Sequence, residues 1–392
     1  MLARLSIFSF LFFSCFAVKS QEFIEASSEL PEIVKTSNNS MDVAVADING
    51  DGDPDLVIAV EFFKNVILLN DGSGKFSDAS SLLPDLPVNE DPKPYSYYPC
   101  HDSEDIAIAN FDQDGDLDII FVTEDDKTNE YYINNGQSFE NRSNQLPFKG
   151  ISNAIITADF DSDSFQDLIV GNNGQNFYIK NDHGRFIDET AARLPKSNDI
   201  TQDVEANDFD QDGDLDLIIG NEKENKLLLN DGNGQFTDVT SEFIKSAYLA
   251  LGETREADFG DLNGDGKTDL FFAYVELFQG MEPVQRLLIQ TESGFDDQTM
   301  ERLGFTDLYS IMDIDMADID NDNDLDLLFA TLTGPRLMLN DGKGYFKDIT
   351  SETFGDSEVM GIDIEAADLN ADGKLDIYLA NFRAADRLFI QK

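Results

Sequence analysis

The chain has no tryptophan, and among its 392 residues there are only two histidines and two cysteines. Cys15 lies inside an N-terminal apolar run. Once that run is removed Cys100 stands alone, so no disulfide can form within the remaining chain. In an oxidising compartment something other than sulfur must staple the fold. Basic residues are scarce as well: 27 Lys and Arg face 78 Asp and Glu, for a formal net charge of −51. Such a surface repels nucleic acid and anionic membranes, and it leaves cationic partners open. After residue 20 no apolar run is long enough to span a bilayer. The early run, Leu5 to Val18 after Arg4 and before Val18-Lys19-Ser20, has the form of a secretory signal peptide over residues 1–20. The expectation is a secreted or periplasmic protein. A lipid anchor on Cys15 is the weaker alternative, because Phe12-Phe13-Ser14 is a poor lipobox. Losing Arg4 and Lys19 moves the formal charge from −51 to −53.

What the chain does have is aspartate, in one loop repeated seven times at intervals of 49 to 63 residues. The nine-residue copies begin at Asp47, Asn110, Asp159, Asp208, Asp261, Asp318 and Asp368. A period near fifty signals a repeat architecture. In the fourth copy, Asp208, Asp210 and Asp212 occupy positions 1, 3 and 5, Gly213 position 6, Asp214 position 7 and Asp216 position 9. Oxygens at positions 1, 3 and 5 converge on one cation when the chain turns sharply, and glycine at position 6 permits that turn. The position-7 carbonyl adds another oxygen. An EF-hand opens the same way but closes with a glutamate at position 12. Here the closing carboxylate is at position 9 and a strand pattern follows directly.

Hard oxygen donors at five to seven positions suit Ca²⁺, and the loops hold no His or Cys for zinc or copper. Up to seven Ca²⁺ are expected. The expected ligands are Asp47, Asn49, Asp51, Asp53 and Asp55; Asn110, Asp112, Asp114, Asp116 and Asp118; Asp159, Asp161, Asp163, Phe165 and Asp167; and Asp208, Asp210, Asp212, Asp214 and Asp216. They continue with Asp261, Asn263, Asp265, Lys267 and Asp269; Asp318, Asp320, Asp322, Asp324 and Asp326; and Asp368, Asn370, Asp372, Lys374 and Asp376. Position-7 residues, including Phe165, Lys267 and Lys374, serve through the backbone carbonyl. The metal-free alternative is a set of solvated Asp-rich turns, whose converging carboxylates would repel one another. The third loop carries Ser164 in place of glycine and is expected to be the poorest site.

Around each loop the same strand signals recur. One apolar strand precedes it (Val43-Ala44-Val45-Ala46) and another follows (Leu56-Val57-Ile58-Ala59). A third ends in a turn (Ile67-Leu68-Leu69-Asn70-Asp71-Gly72), and a fourth begins after it (Gly74-Lys75-Phe76-Ser77-Asp78). Asp-Gly after an apolar run is a hairpin signal. Four antiparallel strands per unit, repeated radially, predict an all-β, seven-bladed β-propeller over residues 21–392. The seventh unit ends after its third strand, Arg387-Leu388-Phe389-Ile390-Gln391. The missing fourth strand is expected from the N-terminus, Gln21 to Ser27, which closes the last blade and removes an open sheet edge.

These Asp loops and the Leu-Asn-Asp-Gly-x-Gly-x-Phe turns resemble the FG-GAP/VCBS repeat family, whose propellers also form the head of integrin alpha chains. The resemblance covers nearly everything after residue 20. It implies calcium between the first and second strands of a blade, on one face of the disc, and ligand contacts on the opposite face.

The longer insertions, Leu82 to Glu104, Lys245 to Arg255, Ala273 to Arg286 and Phe295 to Ile311, fall on that opposite face. Loops on a rigid scaffold are where binding usually resides. The candidate ligand site is Tyr95, Tyr97, Tyr98 and His101 with Arg255 and Arg286. It is expected to bind an extracellular protein or a glycan; an extracellular polysaccharide-degrading, lyase-like enzyme is the alternative. His183 reads as a turn residue. Five and three residues before the loops, units four to seven carry carboxylate pairs: Asp203 and Glu205, Glu256 and Asp258, Asp313 and Asp315, Asp363 and Glu365. Spaced two apart on a strand, each pair shares one side. On the innermost strands of a ring they would gather at the channel mouth, either to hold a cation or cationic ligand or simply as hydrated acids bonded to neighbouring backbone.

Overall fold

The computed structural model describes residues 22–36, 39–85, 102–124, 127–248, 252–275, 285–304, 310–355 and 359–392. Each repeat forms four antiparallel strands. In the first unit Val43 faces Ile58, Leu56 faces Leu68, and Leu68 faces Asp78. Among the described residues five four-stranded sheets stand alone. The third and fourth units merge into one eight-stranded sheet, because Asn173 and Gly174 pair with Ile200 and Asp199. As the sequence predicts, Phe23–Glu25 supplies the fourth strand of the seventh unit, pairing with Phe389, Ile390 and Gln391.

Among the described residues the first strands of the units are Ser40–Ala46, Ser103–Ala109, Ser152–Ala158, Asp199–Asn207, Glu253–Gly260, Ile311–Ala317 and Gly361–Ala367. Each lies beside the next, and the last lies beside the first, so the arrangement closes on itself. The second strands read as unbroken apolar runs because both of their faces are covered; every residue of Asp55–Val60 is buried. The core is accordingly divided into clusters, each shared by consecutive units. Ile48, Val57 and Ile67 pack with Ile106, Ile119, Phe121 and Tyr132 across units one and two. Tyr378 and Leu388 pack with Val43, Leu56 and Leu68 across units seven and one. Leu30 and Val34, from the segment after the N-terminal strand, complete that last cluster. Fully burying a residue of this size stabilises by about 1.5–3 kcal/mol.

A short helical turn follows each fourth strand, for example Ser80–Leu82, Thr190–Arg193 and Thr240–Phe243. Its first Ser or Thr accepts a backbone N–H from the third strand: Tyr178 N to Thr190 Oγ1 at 3.0 Å, Leu227 N to Thr240 Oγ1 at 2.9 Å. Among the described residues no helix is long and apolar enough to cross a membrane.

Candidate functional site

The Asp loops join first to second strands, so all lie on one face, beside the Asn-Asp-Gly turns. Asp53, Asp214 and Asp324 sit so close to Gly72, Gly232 and Gly342 that a Cβ on any of those glycines would meet the carboxylate at 2.7 Å or less. Within a loop, the first carboxylate holds the turn. Asp47 Oδ1 accepts from Asp51 N at 3.0 Å and Oδ2 from Gly52 N at 2.9 Å. Asp261, Asp318 and Asp368 repeat both bonds. Position 6 adopts a left-handed conformation whatever its side chain: φ is 100° at Gly213, 73° at Ser164 and 72° at Asn323.

The position-9 aspartate does more than the sequence predicts. Asp55 is buried; its Oδ2 accepts from Ile48 N at 3.0 Å and its Oδ1 from Asn70 N at 2.8 Å. Asp118, Asp216, Asp269 and Asp326 repeat this clamp between loop and third strand. The side-chain amide of the same turn asparagine then reaches the preceding unit. Asn70 Nδ2 donates to Leu369 O at 2.7 Å, Asn230 Nδ2 to Phe160 O at 2.9 Å and Asn340 Nδ2 to Leu262 O at 2.8 Å. Asn134, Asn181 and Gln391 make the same reach, so that most loops are tied to a neighbour around the ring.

Several loops fit a hard divalent cation. Carboxylate oxygens of Asp208, Asp210 and Asp216 lie within 4.8 Å of one another, as do those of Asp318, Asp320 and Asp326 and those of Asp159, Asp161 and Asp163. Asn110 Oδ1, Asp161 Oδ1, Asp208 Oδ1, Asp320 Oδ1 and Asp376 Oδ2 are buried without a hydrogen-bond partner. An unpartnered buried oxygen is costly unless a cation satisfies it. Burial, followed by neighbouring aspartates, pushes the Asp216 carboxyl up to about 7 and Asp326 to about 8, despite two backbone N–H bonds on each. The third loop differs: Lys180 and Arg193 rest on its carboxylates.

A second acidic set lines the ring's centre. A cavity of about 530 Å³ is bordered by Asp42, Asp105, Asp203, Glu205, Glu256, Asp258, Asp313, Asp315, Asp363 and Glu365, which places both members of each predicted pair on the channel side. In every unit the first strand shifts register immediately before the fifth residue upstream of the loop. Many of these carboxylates already hold the next unit. Asp363 accepts from Val43 N at 2.8 Å, Asp203 from Ala257 N at 2.9 Å, Asp313 from Ile364 N at 2.8 Å and Asp315 from Ala366 N at 2.7 Å. Burial is the main cause that pushes Asp258 and Asp315 up to about 7 and Asp105 and Asp313 to about 6; neighbouring like charges add to it at Asp258, Asp315 and Asp105. Asp203, Glu205 and Glu256 bring oxygens within 4.8 Å of one another.

Of the predicted ligand residues, Tyr95, Tyr97, Tyr98 and His101 lie outside the described residues. Arg255 borders the cavity and donates to Gln202 Oε1 at 2.9 Å. Arg286 pairs with Asp297, and its guanidinium lies 6.0 Å from the Tyr248 ring centre. The two arginines therefore have separate surroundings. His183 has φ 56° and stacks edge-on against Phe165 at 4.4 Å, a turn residue as read.

The FG-GAP-like repeat model matches residues 110–170, 159–219, 208–272 and 318–379, and the FG-GAP repeat model matches residues 41–76. The chain belongs to the FG-GAP repeat family. No curated protein matches it. Among solved structures, an Agrocybe aegerita lectin described for specific recognition of non-reducing terminal N-acetylglucosamine is similar at 18% identity. Its TM-score is 0.54, covering 89% of this chain and 87% of that one. BBS1N, solved in complex with ARL6DN, is similar at 13% identity and TM-score 0.53, covering 90% and 92%. The extracellular domain of a putative hybrid two-component system from B. thetaiotaomicron is similar at 11% identity and TM-score 0.53, covering 94% of this chain and 39% of that one. At these identities the likeness is one of fold.

Proposed function

We propose that this FG-GAP repeat protein is an exported, calcium-stabilised, seven-bladed propeller that binds an extracellular protein or glycan through the face opposite its Asp loops. Residues 1–20 would be its leader. The observation that carries the reading is the division of labour between faces. One face is committed to structure: its loops are tied unit to unit by the Asn side chains and hold buried carboxylates in need of a cation. The other is the face on which the sequence is expected to place its long insertions, free to vary in contact chemistry. Propellers of like fold include a lectin and a protein solved with a protein partner, consistent with this use of the scaffold. The calcium ligands would be the oxygens of the six Asp loops other than the third. The cation supplies charge neutralisation there; the chain's own residues fix the loop and transmit its order to the neighbouring blade. The separate settings of Arg255 and Arg286 support binding over a lyase-like reaction, which would gather its cations beside one base. A cationic ligand at the channel mouth would face the carboxylate pairs of blades four to seven.

The test is a screen of glycans and extracellular proteins, run with calcium and again with chelator. The expected result is a calcium-dependent hit that Tyr97→Ala, Tyr98→Ala and His101→Ala together abolish with melting unchanged. Depolymerisation of an acidic polysaccharide in the same wells would replace the binding reading with the enzymatic one.

A further inference from the structure

The third loop has the family's sequence but not its chemistry. Lys180 stands one residue before the turn asparagine, where the other units carry Leu69, Ile133, Leu229, Ile289, Leu339 and Ile390. From there its ammonium reaches Asp161 Oδ2 and, at 2.6 Å, Asp163 Oδ2. Arg193, from the short helix after the fourth strand, meets the same Asp161 oxygen at 2.9 Å. Among the described residues Asp161 Oδ1 is the one buried side-chain oxygen of the loop left without a hydrogen-bond partner. Asp159 keeps the turn bonds that Asp47, Asp261, Asp318 and Asp368 also make. Asp159 accepts from Asp163 N at 2.9 Å and Ser164 N at 2.8 Å. Asp167 accepts from Asn181 N at 2.8 Å and, where other units present the position-2 amide, from the Tyr178 hydroxyl at 2.5 Å. Among the described residues this is the only Asp loop whose carboxylates take ion pairs from cations outside the loop. Lys180 and Asp161 are both largely buried, with side chains 16% and 8% exposed.

Arg193 also reaches across the joint to the fourth unit. Arg193 lies 4.9 Å from the Tyr178 ring centre and donates to the Asn233 carbonyl in the fourth unit's turn. A Cβ on Gly234 would meet Arg193 Nη1 and Tyr178 Oη at 2.6 Å, so the approach depends on that glycine. At the other end of these units, Asn173 and Gly174 pair with Ile200 and Asp199, the strand pairing that merges two sheets into one. The third–fourth joint is thus fastened at both ends by the chain itself.

We infer that the third loop is not a calcium site: Lys180, backed by Arg193, stands where the ion would, and makes the joint between the third and fourth units a metal-independent clamp. For Ca²⁺ to enter, the ammonium would have to leave two carboxylates, and the ion would then face an adjacent guanidinium. The carboxylate spacing alone, which is within 4.8 Å at Asp159, Asp161 and Asp163, does not distinguish this loop from the others. The Ser164 turn is not the reason either, since its backbone adopts the required left-handed form.

The inference rests on calcium binding at the other loops only for its contrast. The test is amide hydrogen exchange on the full protein, with calcium and with chelator, for the wild type, Lys180→Leu and Lys180→Arg. In the wild type, amides of residues 159–167 are expected to exchange alike in both conditions, while those of 208–216 and 318–326 speed up roughly tenfold or more in chelator. Lys180→Leu introduces the residue that units one, four and six carry. In chelator it should raise exchange of 159–167 roughly tenfold, with protection regained in calcium and one more calcium bound per chain. Lys180→Arg should behave like the wild type. A wild-type third loop that loses protection on chelation, or a Lys180→Leu loop unchanged in chelator, would overturn the inference. Should no loop of the wild type respond to chelator, the calcium reading fails. The clamp is then judged by the Lys180→Leu exchange in chelator alone.

Discussion

Replacing Asp320 with asparagine should act in opposite directions with and without calcium. Asp320 occupies position 3 of the sixth loop, its Oδ1 buried and without a hydrogen-bond partner. Burial, then Asp322, Asp318 and Asp324, push its carboxyl up to about 6. A carboxyl whose titration is raised on folding binds its proton more tightly in the folded state. Its contribution to stability is therefore present below about pH 4 and is lost as pH rises towards and through 6. At pH 7.5 without metal the ionised side chain opposes folding. The group is partly exposed, so solvent screening reduces that opposition to on the order of 1 kcal/mol. Asparagine keeps the shape and already stands at this position in Asn49, Asn263 and Asn370. In chelator at pH 7.5, Asp320→Asn should therefore melt slightly above the wild type, by roughly 1–2 °C for a chain of this size. In calcium the missing charge weakens the site. A tenfold weaker site gives up about 1.4 kcal/mol of the stability that bound ion contributes, so the variant should melt below the wild type. The assay is a pair of thermal melts, repeated at pH 4.5, where the advantage in the absence of calcium should shrink to roughly a third. Equal destabilisation in both conditions would refute the reasoning, because it would mean that the carboxylate serves the apo fold.

Asn230→Ala removes the bonds to Phe160 O and Leu215 O and should cost about 1–3 kcal/mol, read by denaturant melting, with faster exchange in the third loop. Leu30→Ala opens a cavity where the N-terminal segment seals the first and seventh units, and should cost about 2–5 kcal/mol. The channel carboxylates Asp105, Asp258, Asp313 and Asp315 all titrate above their ordinary value. Stability in saturating calcium should therefore fall as pH rises from 5 to 8, the reverse of ordinary acid denaturation, and a flat or rising profile would contradict the burial of these groups.

Contacts within one repeat were largely legible in the sequence. The loop spacing, the four strand patterns and the unmatched ends at Phe23 and Gln391 led to the observed sheets, including the strand borrowed from the N-terminus. Period-two spacing also placed Asp313 with Asp315 and Asp363 with Glu365 on the channel side. Contacts between repeats were not legible. Nothing in Leu-Asn-Asp-Gly says that the asparagine amide crosses to the previous loop, because its partner lies 299 residues away for Asn70 and 70 for Asn230. The Ser and Thr that receive third-strand amides left a signal that could have been read: an Asp two residues earlier, as at Asp188 before Thr190 and Asp238 before Thr240. Lys180 left one too, a lone charge in a column of apolar residues, but its meaning depends on how near Asp161 and Asp163 lie.

The most direct measurement is the number of calcium ions bound per chain, by equilibrium dialysis with elemental analysis, paired with melting in calcium and in chelator. The account predicts at most six ions, none at the third loop, and a large loss of melting temperature on chelation. No bound calcium and unchanged melting would contradict it.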